Sequence, residues 1–156
     1  SFGIGCFSFF PTKNITTCEG GMLTTNSMER YIEIKKLIAH GINKDKKKHF
    51  WNREADLAGH NYRLPNHLAG LGISQFKQLL KFNKQRRMIA KKYDNFFKKL
   101  SDKFYVQKVN SNLTHSYQMY SILINSKYRN NLLYYLRKNN IEASVHFDPP
   151  LHQQNT

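Results

Sequence analysis

The period of apolar and polar positions changes several times along this chain, and each change marks an element. Gly5 to Phe10 is an apolar, uncharged run closed by Pro11, and Met22 to Thr25 is a second one preceded by Gly20-Gly21. Short runs of this kind, bounded by Pro and Gly, predict two strands with a polar turn from Pro11 to Glu19 between them. Met28, Tyr31, Ile34, Leu37 and Ile38 then recur at helical spacing. Asn26 and Glu29 form a capping-box pattern and Gly41 is a fitting stop, so a helix is predicted from Asn26 to His40. Residues 42–65 are polar and without period, and the charge run Lys44-Asp45-Lys46-Lys47-Lys48 within them reads as a solvated loop. Loops this long in compact domains are usually functional or disordered.

The longest helical pattern follows. Asn66 after Pro65 fits a helix start, and the pattern runs to about Leu100. Leu68, Leu71, Gln75, Phe76, Leu79 and Leu80 make an apolar stripe, continued by Ile89, Tyr93, Phe96, Phe97 and Leu100. Lys77, Lys81, Lys84, Arg86, Arg87, Lys91, Lys92, Lys98 and Lys99 mark the opposite face, so the stripe reads as core. A helix of this length exceeds the ordinary globular range, and a break or bend is expected near Phe82-Asn83. Strands are predicted from Lys103 to Val109 and from Tyr117 to Ile124, the second interior because both its faces are apolar. A short helix from Asn130 to Asn140 turns Leu132, Leu133, Tyr135 and Leu136 inward, and Ile141 to Phe147 is a last strand. Strand, strand, helix, strand after a long connecting helix makes a compact α+β unit.

Composition narrows the class. The chain has 156 residues, 40% hydrophobic and 13% aromatic, which is enough for one domain with a core and argues against disorder. Its 25 basic and 10 acidic residues give a net charge of +15, suited to nucleic acid, an anionic surface or an anionic small substrate. Against a nucleic-acid module, the aromatics of the long helix lie on the stripe and are not interleaved with its lysines as stacking platforms. No apolar run long enough to span a membrane and no basic n-region of a signal peptide are present, so no membrane partner is expected. Cys6 and Cys18 form no CxxC and read as free thiols in a reducing cytoplasm. The seven histidines are scattered, which leaves no metal site in view.

One residue carries candidate chemistry. Lys13 is the one cation between Ser1 and Met28, placed where two apolar strands meet. A turn lysine is ordinarily solvated. Burial would instead disfavour the ammonium form and make the amine a nucleophile able to form Schiff bases with carbonyls. Arg63 lies in a turn ahead of a helix start, where it would ordinarily be a surface arginine. A lone histidine after a strand, such as His146, is ordinarily structural.

Ser8-Phe9-Phe10-Pro11-Thr12-Lys13-Asn14, followed by Glu19-Gly20-Gly21-Met22, resembles the signature of the DegT/DnrJ/EryC1/StrS family. These are sugar aminotransferases that use pyridoxal 5'-phosphate (PLP) and have the aspartate-aminotransferase fold, fold type I. The resemblance implies an α/β fold of which this chain holds a part. Residues 1–60 would end the large PLP-binding domain, and 61–156 would form most of a small α+β C-terminal domain. It implies that Lys13 carries PLP and that the Ser8 hydroxyl binds its phosphate. Gly59-His60-Asn61-Tyr62-Arg63 is similar to the family's GYNYR segment, which crosses a dimer interface. By that likeness Asn61 binds the phosphate of the neighbouring subunit's cofactor and Arg63 lies near the same site, while His60 stands where the family often has Tyr. Val145-His146-Phe147-Asp148-Pro149-Pro150-Leu151-His152 resembles the family's VHYxPLH segment, which makes His146 a substrate contact.

The implied reaction passes an amino group, by family habit from glutamate, to a keto-sugar carried on a nucleotide, in a homodimer with shared active sites. Phe2-Gly3-Ile4-Gly5 departs from the family by lacking an acid before the first strand, and Cys18 stands where a small residue is usual. The chain also reads as incomplete: the segment that gives the family an aspartate for the pyridine nitrogen lies upstream, and these residues alone are expected to be inactive. Two other classes stay open at this point. One is a PLP-fold regulator or remnant without catalysis, and the other is a basic nucleic-acid-binding module.

Overall fold

The two uncharged runs form a hairpin. β1 (Ile4–Ser8) and β2 (Gly21–Thr25) pair antiparallel from Ile4↔Thr25 to Ser8↔Gly21. The structure, a computed structural model, describes residues 3–43, 49, 51–100 and 103–155. Phe9 to Gly20 connects the strands and is braced by its own backbone: Phe9 N donates to Gly20 O at 2.9 Å and Thr17 N to Phe9 O at 3.0 Å. Gly20 sits at φ +133°, and a Cβ there would stand 2.6 Å from Leu64 and 3.0 Å from the Thr17 hydroxyl, so this corner needs glycine.

The next helix, α1 (Met28–Leu37), is capped by Ser27, whose Oγ accepts from Arg30 N at 3.3 Å. The Asn26–Glu29 box expected from the sequence is therefore not the cap. The Thr25 hydroxyl accepts from Ser27 N at 3.1 Å and turns the chain so that Ser27 enters the cap position. Glu29 in the first turn and Lys35 and Lys36 in the last still complement the helix dipole. Gly41, at φ +72°, ends the region as expected. Its N–H donates to Lys36 O at 2.8 Å, and any Cβ would overlap the Leu57 carbonyl oxygen.

The stretch from 42 to 65 has more structure than its polarity suggests. Ile42 bridges to Ala55 and Ala39 to Asn61, while Asp56 accepts from Asn43 at 2.7 Å and from Lys36 at 3.3 Å. The Lys44–Lys48 charge run lies outside the described residues.

α2 (Asn66–Phe97) begins where Pro65-Asn66 predicts and runs 32 residues, about 48 Å. It is continuous through Phe82-Asn83, so the expected break is absent. No Pro or Gly stands there to cause one. Its sheltered side coincides with the predicted apolar stripe only in part, at Leu68, Gln75, Leu79 and Phe97. Gly72, Gln75, Leu79, Asn83 and Arg86 are half-buried and Ala90 is buried, whereas Phe76, Leu80 and Ile89 are 65, 83 and 52% exposed. Arg86 and Arg87 are likewise half-buried, not on an open basic face. Among the described residues Ala90 is the one buried hydrophobic residue.

The chain forms two compact units, Ser1–Arg86 and Arg87–Thr156. In the second, β3 (Phe104–Val106) and β4 (Ile122–Ile124) pair antiparallel. Both are shorter than predicted. Tyr117 at φ +45° takes the backbone out of the extended region, and β4 is one of a pair with Leu123 72% exposed, not an interior strand. α3 (Ser126–Lys138) starts earlier than predicted because Asn125 caps it, accepting from Lys127 N at 2.9 Å. Leu132, Leu133 and Leu136 are half-buried as expected, but Tyr135 points out at 64% exposure. Ile141 to Phe147 forms no strand. It is held to α3 instead, by Arg137 Nε on the Ala143 carbonyl at 3.1 Å and by the Arg129–Asp148 ion pair at 2.8 Å.

The second unit is centred on Tyr120. Its hydroxyl donates to Asp94 at 2.7 Å, with the rings of Tyr93 and Tyr117 at 5.0 and 6.2 Å. Burial, then the hydrogen bond to Asp94 and its charge, hold this phenol well above the ordinary tyrosine range. Tyr120→Phe should lower stability at neutral pH by about 1–2 kcal/mol, because it leaves a part-buried carboxylate short of a donor. Urea unfolding of the complete gene product measures this, and equal midpoints would refute it. Above about pH 10 the unfolded phenol ionises while the folded one does not, so wild type should lose stability there relative to Tyr120→Phe.

Candidate active site

Lys13 closes a β-turn. Its N–H donates to Phe10 O at 2.9 Å with Pro11 at the second position, where the fixed φ of proline suits the turn. Ser8, the last residue of β1, sits at the entry to the same turn, and its Oγ accepts from Phe10 N at 3.3 Å. A hydroxyl that accepts still has its proton to donate, so Ser8 can serve an anion. Lys13 is half-buried. Among the described residues the apolar enclosure that the sequence suggests around it is incomplete, since Phe7, Phe10, Met22 and Leu23 are 50, 46, 46 and 45% exposed. A two-stranded hairpin has two faces, and the described residues cover neither fully.

The turn is fixed from behind by α2. Asn14 Nδ2 donates to Asn83 Oδ1 at 2.6 Å. Thr17, 1% exposed, lies against Gly72, where a Cβ would come within 2.9 Å of its methyl. The Thr17 hydroxyl donates to Glu19 O at 2.7 Å, and that of Thr16 to Phe9 O at 2.8 Å, so the connection between the strands is bonded at both ends. Gly72 and Asn83 are eleven positions apart on α2, about three turns, and so share a face. The sequence reading missed both. Their signal was present: a glycine and an asparagine, both poor helix formers, inside a long helix of good ones.

Asn61 is reached differently. The segment around it runs beside the end of α1, with His60 N on Leu37 O at 2.7 Å, His40 N on His60 O at 2.9 Å and Tyr62 N on Ile38 O at 3.0 Å. Extended backbone alternates its side chains. His60 and Tyr62 stack on one side, ring centroids 4.7 Å apart, which leaves Asn61 and Arg63 to the other, both exposed. Ser8, Lys13, Asn61 and Arg63 all belong to the first compact unit, and His146 to the second. His146 is exposed, with its ring against that of Phe147 at 3.8 Å. Among the described residues no cluster of three His, Cys, Asp or Glu could hold a metal, and no helix is long and apolar enough to cross a membrane.

Comparison with known proteins gives this arrangement its context. The chain is 34% identical over 149 residues to the UDP-4-amino-4,6-dideoxy-N-acetyl-beta-L-altrosamine transaminase of Campylobacter jejuni, covering 94% of this chain and 39% of that one. It is 33% identical over 153 residues to the GDP-perosamine synthase of Vibrio cholerae, covering 96% and 40%. In structure it is similar to Helicobacter pylori PseC, an aminotransferase involved in the biosynthesis of pseudoaminic acid, with a TM-score of 0.80, 33% identity and coverage of 97% and 40%. The chain thus spans about 40% of the length of the curated relatives it matches, and its fold is that of the corresponding part of an aminotransferase. The family model for DegT/DnrJ/EryC1/StrS aminotransferases matches residues 1–156, and the chain belongs to the DegT/DnrJ/EryC1/StrS aminotransferase family.

Proposed function

We propose that the complete gene product is a PLP-dependent aminotransferase that passes an amino group, from glutamate, to a nucleotide-linked keto-sugar in glycan precursor biosynthesis. One observation carries the reading: Lys13 and Ser8, an amine and a hydroxyl with a proton to give, stand at the end of a bonded β-turn and at the approach to it. That donor set fits an aldehyde cofactor with a phosphate. The names of the relatives favour a sugar nucleotide and divide between UDP and GDP, so the reading stops at that class. A chain of net charge +15 suits phosphorylated anions.

In this reading residues 1–60 end the PLP-binding domain and 61–156 make up the small domain, in a cytoplasmic homodimer. The Lys13 amine would hold the cofactor and, once freed by the amino donor, would be the base that takes the proton from the donor's α-carbon. When bound, PLP supplies the electron sink for that proton loss. The Ser8 hydroxyl would hydrogen-bond the phosphate, and the Asn61 amide would do the same from the partner subunit. Arg63, a fixed fork of donors, meets an anionic group of the incoming substrate, and His146 meets the sugar nucleotide.

Lys13→Ala should abolish the visible absorbance of lysine-bound PLP and the glutamate-driven formation of pyridoxamine phosphate in the complete gene product. An unchanged spectrum in that variant would remove Lys13 from the role.

Sharing of the site between subunits has its own test. Neither Lys13→Ala nor Asn61→Ala should retain full activity alone, but co-expression should form mixed dimers with one intact site each. Random mixing would return about a quarter of wild-type turnover. No recovery above the better single variant would mean that Asn61 acts within its own chain.

A further inference from the structure

We infer that Asn83, in the middle of α2, is a positioning residue for Lys13 and acts through Asn14. The inference rests on the reading of Lys13 as the cofactor-bearing lysine. Lys13 is tied on its N-terminal side by its own N–H to Phe10 O, at 2.9 Å. On its C-terminal side the next residue, Asn14, is tied by its side chain to Asn83 at 2.6 Å. The lysine is therefore held between a bond internal to the hairpin and a bond to a separate, rigid element. The second is the one that fixes the turn relative to anything outside the hairpin. Both amides are half-buried, where a hydrogen bond is less open to exchange with water than on the surface.

The choice of residue at 83 supports a positional role over a merely helical one. Asparagine is among the weaker formers in a helix interior, and the neighbours Lys81, Lys84, Gln85 and Arg86 are all better ones. Nothing in α2 itself calls for an amide here. Gly72, on the same face, makes room for Thr17 at the far end of the connection. The helix thus meets the lysine turn at two points, one apolar and one hydrogen-bonded. Thr17 against Gly72 sets how closely the turn approaches. The Asn14–Asn83 bond, being directional, sets its rotation. A lysine amine that must meet an aldehyde carbon at bonding distance depends on that rotation.

The test is a double-mutant cycle in the complete gene product with Asn14→Ala, Asn83→Ala and the pair, together with Asn83→Asp as the conservative variant. PLP affinity is measured by dilution, the visible circular dichroism per bound cofactor reports its orientation, and melting of the cofactor-free protein reports stability. Asn83→Ala improves helix propensity, and Asp at 83 still accepts from the Asn14 amide. Either single alanine variant should weaken PLP retention about five- to tenfold, the worth of one ordinary hydrogen bond, and lower the dichroism per bound cofactor. The double variant should be no worse than the singles, and Asn83→Asp should stay within about twofold of wild type. Wild-type affinity and dichroism in Asn83→Ala would overturn the inference while leaving Lys13 in its role. Losses that add in the double variant would also overturn it, and a variant too unstable to purify would count against it where Asn83→Asp fails alike. Absence of the visible band from wild type would instead defeat the reading of Lys13 itself.

Discussion

The hydrogen bond from Asn14 to Asn83 and the fit of Thr17 over Gly72 are what give the lysine turn a definite place. A connection of twelve residues between two five-residue strands has little ladder of its own to stiffen it, and a loop of that length is ordinarily free to sample many shapes. Here its backbone carbonyls and hydroxyls are used internally, by Thr16, Thr17 and Phe9, and its outer surface is set against a helix. The chemistry assigned to Lys13 thus depends less on the burial of the amine than on the rigidity of what carries it. Flanking side chains such as Phe7 and Phe10 stay about half exposed, so desolvation by this hairpin is not what singles the lysine out.

What could be read from sequence was what is determined locally. The two strands, the proline turn, the αL glycine after α1 and the Pro65-Asn66 start of α2 each follow from a few adjacent residues, and each is found. That Ser8 and Lys13 lie near one another was legible for the same reason, as they belong to one short stretch of chain. The cap of α1 shows the limit. Asn26 and Ser27 are both good caps, and the choice between them was made by the Thr25 hydroxyl, which the capping pattern ignores. The predicted last strand fails on a longer-range count. Ile141 to Phe147 alternates acceptably, but a strand needs a neighbour, and its Ala143 carbonyl goes to Arg137 of α3 instead, while Asp148 just beyond it pairs with Arg129.

The long helix was legible only in part, because a sound rule took account of one kind of partner. Apolar residues at helical spacing should face the core. In this chain α2 is also met, at Gly72 and Asn83, by a loop of threonines and amides. Phe76 and Leu80 are left in the open. The cost shows in the surface. The chain exposes 13530 Å², against roughly 10,000 Å² for two separate compact units of the same total mass. Side chains as large as Phe76, Leu80 and Phe96 would each gain about 1.5–3 kcal/mol from full burial, so this surface is strongly disposed to being covered. The homodimer of the proposed function would supply some of that cover.

A better rule for such a helix starts from its worst residues. Most of α2 is Leu, Lys, Gln, Arg, Phe or Ile, any of which a solvated or a buried face would accept. Glycine costs about 1 kcal/mol in a helix interior and asparagine somewhat more than half of that, so neither is held there by propensity. Asp94, the acceptor for Tyr120, is another poor former, and it stands eleven residues beyond Asn83 just as Asn83 stands eleven beyond Gly72. Gly70 is left facing open space, but the three costly residues at a spacing of about three turns are places where some other segment meets the helix closely or through a hydrogen bond. Thr17 does so at Gly72, Asn14 at Asn83 and Tyr120 at Asp94. The apolar stripe says how much surface the helix has to bury, and three of the exceptions to good helix chemistry, Gly72, Asn83 and Asp94 but not Gly70, mark where its contacts are specific.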